Sequence, residues 1–508
     1  MTAILRLILT SAACFGLWRL WRAIDTIDRR AAMIAGVGLL IRLVAGQTLF
    51  WISWLKLPFA RSLQLGSGLW FYAIDGQWYL QYADKILGQG PATVLTIDAT
   101  YPSRVFVQVL TIAVAAFGHV ASVALLLNAF AFLATCLVVV RLADPRGPAR
   151  IPCLFALGAL SLGPGAILWS LQPLKDTVLT IFAVAMLAAC RPWQTAWRDR
   201  DGTATWWQAG ASAVAMLAMM YAVSGIRWYF GAILWGACGA FLALTAITAR
   251  RRWAASAAGA VLFLFLAQSF LMGGGDDVSP WVRRQLDLRT ALTGSRPLPI
   301  LFVLSETRRG FENTPGATHI TSGTLPGPAS AAPVPGALPT GPAAARPPAP
   351  AAPPAAGDLP QSPAPGSANA IGRAAAESPT RQTVRQVATG IAALVLPVTI
   401  GSLFGILHVG GGRNLWAFVE VDTIALDCVL IFAIWYCGRY LSRYRRATPL
   451  FVMVLIVLVA TAVPMAYTVT NFGTMFRLRG MLYTLAAVLP LTLAGVTTPA
   501  PPLPDRDA

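Results

Sequence analysis

Four groups of residues have the types and spacing to do chemistry. Asp75 opens a stretch, DGQWYLQYADKILG, in which Tyr79, Tyr82, Ala83 and Leu87 recur at helical spacing. Lys175 and Asp176 stand side by side in SLGPGAILWSLQPLKDTVLT, between two apolar blocks. Arg477 and Arg479 precede the last apolar block in VTNFGTMFRLRGMLYT, and Glu420, Asp422 and Asp427 interrupt NLWAFVEVDTIALDCVLIFAIWY. Carboxylates that converge on one cleft can take a proton, orient an acceptor or hold a divalent cation. Guanidinium groups at the same place suit a phosphate or pyrophosphate.

Each group also has an ordinary reading. Asp75 can cap a helix by accepting its free N–H groups. Lys175 and Asp176 can be a solvated turn. Arg477 and Arg479 can snorkel to lipid headgroups, and Glu420 and Asp422 can pair with an arginine such as Arg227 or Arg413. Arg227, in SGIRWYFG, is a further candidate of the same kind as Arg477.

The elements that must position these residues are membrane helices. Of 508 residues, 56% are hydrophobic and 12% charged, which leaves too little polar surface for a water-soluble globule. Apolar blocks such as 31–52, 121–142, 253–272 and 450–469 have the length that crosses a hydrocarbon core as helix. The net charge of +18 sits mostly in short stretches between those blocks, at Arg19 to Arg30, Arg141 to Arg150, Arg191 to Arg200, Arg250 to Arg252 and Arg439 to Arg446. Placed inside, these stretches alternate consistently and assign 53–120, 224–229, 273–415, 470–480 and the turn at Lys175 to the outer face. The basic charge therefore sets orientation and does not point to nucleic acid. The first apolar stretch is followed by arginines, which reads as a retained helix with its N-terminus outside and not as a cleaved signal.

Two apolar stretches, 104–119 and 387–407, break this alternation if they cross, so they are expected to lie in the outer interface or to re-enter. From 313 to 380 the composition turns to Pro, Ala, Gly and Ser, a disordered spacer by composition. The expected organisation is an N-terminal membrane module over 1–312 with its first outer loop at 53–120, the insert at 313–380, a C-terminal membrane module over 381–498 and a cytoplasmic tail at 499–508. The expected fold class is all-α, a polytopic transmembrane helix bundle of about eleven spans. The seven cysteines lie in or beside apolar blocks and are expected to pack as small residues. His119, His319 and His408 are scattered, and no Walker loop, GxGxxG fingerprint or GxSxG elbow is present.

The order of features in 53–120 carries a resemblance: an aromatic-flanked acid at Asp75, a Tyr-containing helix ending in Gly, a YP step at 101–102, an apolar helix ending in FG, then a span. It resembles the first outer loop of the GT-C superfamily of membrane glycosyltransferases. Asp176 matches the second charged position of that superfamily, on a short loop facing the first. The NFGT turn followed by Arg-x-Arg, and RRGFENT at 308–314, resemble segments of membrane proteins from bacterial polysaccharide clusters.

This resemblance implies an enzyme of the bacterial cytoplasmic membrane with its active site facing outside, in cell-surface polysaccharide biosynthesis. It would transfer a sugar from a polyprenyl-phosphate carrier to a glycan or lipid acceptor, with no nucleotide partner. Asp75 would be the base and Asp176 would orient the acceptor or, with Asp75, hold a divalent cation such as Mg or Mn. Tyr79, Lys175, Arg227, Glu420, Asp422, Arg477 and Arg479 would bind substrate. The alternatives are a polysaccharide polymerase or O-antigen-ligase-type protein, and a non-catalytic flippase or transporter of a lipid-linked glycan.

Overall fold

The computed structural model describes residues 3–95, 97, 103–143, 149–198, 206–249, 252–273, 299–312, 320–321, 379–404, 406–409, 416–441 and 448–494. These are mostly helix, because a backbone surrounded by hydrocarbon must satisfy its own N–H and C=O groups. In chain order the helices are α1 (Ala3–Asp25), α2 (Arg29–Trp54), α3 (Asp75–Gly88), α4 (Arg104–Phe117), α5 (Ser122–Leu142), α6 (Arg150–Leu162), α7 (Pro164–Ser170), α8 (Asp176–Arg198), α9 (Trp206–Ile226), α10 (Trp228–Thr248) and α11 (Trp253–Gly273). After them come α12 (Pro299–Glu312), α13 (Pro379–Val395), α14 (Val398–Leu403), α15 (Trp416–Tyr440), α16 (Thr448–Thr468) and α17 (Phe472–Ala494).

Among the described residues eight helices are long and apolar enough to cross a bilayer, and nine spans result if α6 and α7, bent by 51° at their junction, count as one. Helix α15 has 25 residues, long enough to span, and carries Glu420, Asp422 and Asp427. On α2, Val37, Leu40 and Val44 form an exposed stripe at helical spacing, a surface that suits lipid and not water. The chain is thus an all-α, multi-pass membrane protein.

The stretch expected near 104–119 forms α4, whose 14 residues reach about 21 Å, short of a hydrocarbon core of about 30 Å. It packs against α3, α5 and α9. The stretch at 387–407 is broken: Pro397 separates α13 from the six-residue α14. The YP step lies outside the described residues. So does the Pro/Ala-rich insert, except for Ile320 and Thr321, which form β3 (Ile320–Thr321) against β4 (His408–Val409), and the first two residues of α13.

Between α2 and α3 runs a small antiparallel hairpin, β1 (Gln64–Gly66) with β2 (Leu69–Trp70). It is pinned to α2 by Ser53 Oγ donating to the Leu69 carbonyl (2.7 Å) and Trp70 Nε1 donating to the Leu49 carbonyl (2.9 Å). Gly68 has φ +84°, and a Cβ there would meet the Phe50 ring at 2.2 Å, so only glycine fits this turn. The hairpin fixes where α3 begins, and therefore where Asp75 stands. None of the seven cysteines is in a disulfide, and five of them are buried, in keeping with a packing role.

Candidate functional site

Asp75 is the first residue of α3, an amphipathic helix that buries Gly76, Tyr79, Leu80, Ala83 and Ile86. Ile74 stands at the cap position and makes no side-chain capping bond, and the Asp75 carboxylate accepts from Arg477. The first turn of α3 sits instead on the turn between α7 and α8: a Cβ on Gly76 would stand 2.6 Å from Pro173 Cγ. That close approach brings Asp75 to the start of α8, where Lys175 and Asp176 lie.

Arg477, on the first turns of α17, joins the two acids. Its Nη1 donates to Asp75 Oδ2 and its Nε to Asp176 Oδ2 at 2.9 Å. Arg227, between α9 and α10, donates from Nη2 to Asp176 Oδ1 (2.5 Å) and from Nη1 to the Tyr229 hydroxyl (2.6 Å). Asp176 is therefore gripped through both oxygens. Lys175 Nζ donates to Ser103 Oγ (2.6 Å), at the start of α4, and lies 5.7 Å from the Tyr79 ring centroid. Tyr79 is buried, edge-on to Phe106 with centroids 5.0 Å apart.

The two acids differ in access. The Asp75 side chain is 45% exposed and its second oxygen accepts no hydrogen bond from the described residues, whereas Asp176 is 14% exposed with both oxygens taken. Asp75 is the one that can meet a substrate. Burial, and then the neighbouring Arg227, push the Lys175 ammonium down to about 7 against the pull of Asp176. Burial also pushes the Tyr79 phenol up.

Two carboxylates face two arginines and Lys175 here, so the cluster carries an excess of one positive charge when Lys175 is protonated. A guanidinium already occupies the position between the two carboxylates that a bridging ion would need. Among the described residues no group of three or more His, Cys, Asp or Glu comes together. The residues present do not fit a divalent cation; they fit an anion.

The other candidates lie apart from this cluster. Glu420 accepts from Val398 N (2.6 Å) and Thr399 N (3.0 Å), at the start of α14. Asp422 accepts from Gly165 N (2.7 Å), at the start of α7. Both carboxylates thus satisfy free N–H groups of helix starts. Arg479 is buried and donates to Thr423 Oγ1 (2.5 Å) and the Ala393 carbonyl (2.9 Å), with Asp422 at 3.9 Å. Helical geometry explains the split: Arg477 and Arg479 are two residues apart and point to different sides of α17.

Two residues that matter for the site were not singled out from sequence. Ser103, at φ +63°, is the partner of Lys175 and carries no sequence signal. Arg42 does carry one: it is a single charge within the apolar run GLLIRLVAG. In the fold it is buried, donating to the Gly38, Ser161 and Leu160 carbonyls (3.0, 2.7 and 2.7 Å) with its guanidinium 3.9 Å from the Phe132 ring centroid.

No protein-family model, curated protein or solved structure matches this chain.

Proposed function

We propose that the chain is a GT-C-like membrane glycosyltransferase that moves a sugar from a polyprenyl-phosphate carrier to a glycan or lipid acceptor on the outer face of the bacterial cytoplasmic membrane. One observation supports this reading above the others: Asp75, Asp176 and Arg477, from the first outer loop, a short turn and the last helix, meet at one place. The resemblance assigns catalysis to Asp75 and Asp176, and the guanidinium of Arg477 suits a phosphate; the three positions are up to 402 residues apart in sequence. A transport path favours charges at mid-membrane depth, where Arg42 lies, whereas the cluster around Asp75 stands at helix ends: Asp75 and Asp176 begin their helices and Arg227 precedes α10.

In this reaction the half-exposed Asp75 takes the proton from the acceptor hydroxyl as the acceptor oxygen forms its bond to the anomeric carbon. The bond from that carbon to the phosphate oxygen breaks, and the phosphate leaves with the electron pair. Arg477, with Lys175 and Arg227 beside it, stabilises the charge that develops there. Arg477 serves both partners. When an incoming phosphate draws its guanidinium, the Asp75 carboxylate is released to meet the acceptor hydroxyl. Asp176, held from two sides, keeps Arg477 and Arg227 in position.

The test is transfer of a labelled sugar from the lipid carrier in membranes holding equal amounts of inserted protein. Asp75→Asn lowers transfer by about 10²-fold or more, the usual contribution of a positioned base. Transfer at the wild-type rate would remove Asp75 from the mechanism. Loss on Arg477→Lys with Asp75→Asn unaffected would favour the polymerase or ligase reading.

A further inference from the structure

Beside Asp176 lies a half-open cavity of about 50 Å³, whose wall includes Arg42, Phe132, Asp176, Thr177 and Arg477, with Trp169 from the bent helix pair. This holds several waters or one tetrahedral oxyanion.

The wall is electrostatically unbalanced. Arg42 lies near the middle of α2, buried, with carbonyl oxygens and the face of Phe132 as its partners and no ion pair among the described residues. Asp176 is the one carboxylate on the wall, and both of its oxygens are held by Arg227 and Arg477. An arginine charge inside a membrane bundle without a counter-charge is costly. Donors are also left over. Arg42 Nε and Arg477 Nη2 are buried with no hydrogen-bond partner, and the Thr177 hydroxyl makes no bond to a described residue.

We propose that this cavity binds a phosphate-type oxyanion, with Arg42 and Arg477 as its two guanidinium ligands and Thr177 as a hydroxyl donor. The ligand's charge supplies what Arg42 lacks, and its oxygens accept from the unused N–H groups. The inference rests on the charge and the orphaned donors of the cavity. It therefore stands whether or not the protein transfers a sugar.

The experiment uses the full chain in lipid nanodiscs and follows thermal unfolding by tryptophan fluorescence. Inorganic phosphate is compared with chloride at matched ionic strength, and monohexadecyl phosphate with hexadecanol. A rise in Tm with either phosphate and with neither control supports the site. A rise with hexadecyl phosphate alone assigns it to a lipid headgroup, and a rise with inorganic phosphate as well assigns it to the free oxyanion too. Arg42→Gln should raise the concentration needed by about tenfold or more, with Arg42→Lys retaining part of the response. If Arg42→Gln does not fold, Thr177→Val decides, because that hydroxyl has no other described partner to lose. The proposal is overturned if neither phosphate shifts Tm, or if the folded variant responds as wild type does.

Discussion

Arg477 donates to Asp75 across 402 residues of chain, and the same guanidinium holds Asp176 through its Nε. One side chain of α17 thus ties the start of α3 to the start of α8. The two bonds have different surroundings, which makes their contributions separable.

Removing Arg477 leaves Asp176 buried with half of its charge unanswered. Arg477→Met is expected to destabilise the protein by about 3–5 kcal/mol, whereas Asp75→Asn, at the exposed bond, costs about 1 kcal/mol or less. Thermal unfolding in detergent measures both. Equal losses would mean that the two carboxylates are equally desolvated, contrary to their 45% and 14% exposure.

Gly76 lets α3 touch the turn before α8. Gly76→Ala brings a Cβ against Pro173, a ring held in a tight turn, and is expected to cost about 1–3 kcal/mol by overpacking. Because α3 must shift, sugar transfer should fall further than the loss of stability explains. Normal transfer by the folded variant would show that Asp75 does not need this contact.

Lys175 makes stability depend on pH. Its folded value near 7 lies below the ordinary 10.5, so between these limits the unfolded chain binds a proton that the native protein does not. Stability therefore rises with pH across that window, and it is lowest below about 7, where the buried ammonium persists. Lys175→Met should remove this slope. Unfolding curves taken at several pH values should show wild type gaining stability relative to the variant as pH rises; parallel behaviour would refute the depressed lysine.

Glu420 and Asp422 hold helix starts. Asp422→Ala and Glu420→Ala are each expected to cost about 0.5–2 kcal/mol, the usual loss on deleting a capping acid. The measurement is thermal unfolding paired with KM for the lipid carrier. A raised KM at unchanged stability would return these residues to substrate binding.

Much of this architecture was legible in the residues themselves. Apolar blocks long enough to cross hydrocarbon determine membrane helices locally, since each helix bonds its own backbone within the segment. For the same local reason α4 was recognisable as an exception, being apolar but short and placed where a crossing would disturb the arginine pattern. Asp75, Lys175, Asp176, Arg227 and Arg477 stood out because charged groups beside apolar blocks are few. The partners of those charges were not legible, because pairing depends on which helix ends meet. Only the packed bundle decided that Arg477 serves Asp75 and Asp176 while Arg479, two residues on, turns to Thr423 and the Ala393 carbonyl. Only it assigned Glu420 and Asp422 to helix starts distant in sequence and set Arg42 inside the bundle with no carboxylate partner among the described residues. Hydropathy acts over one turn or one span and is written along the chain. Charge compensation acts across space and is settled when the helices pack.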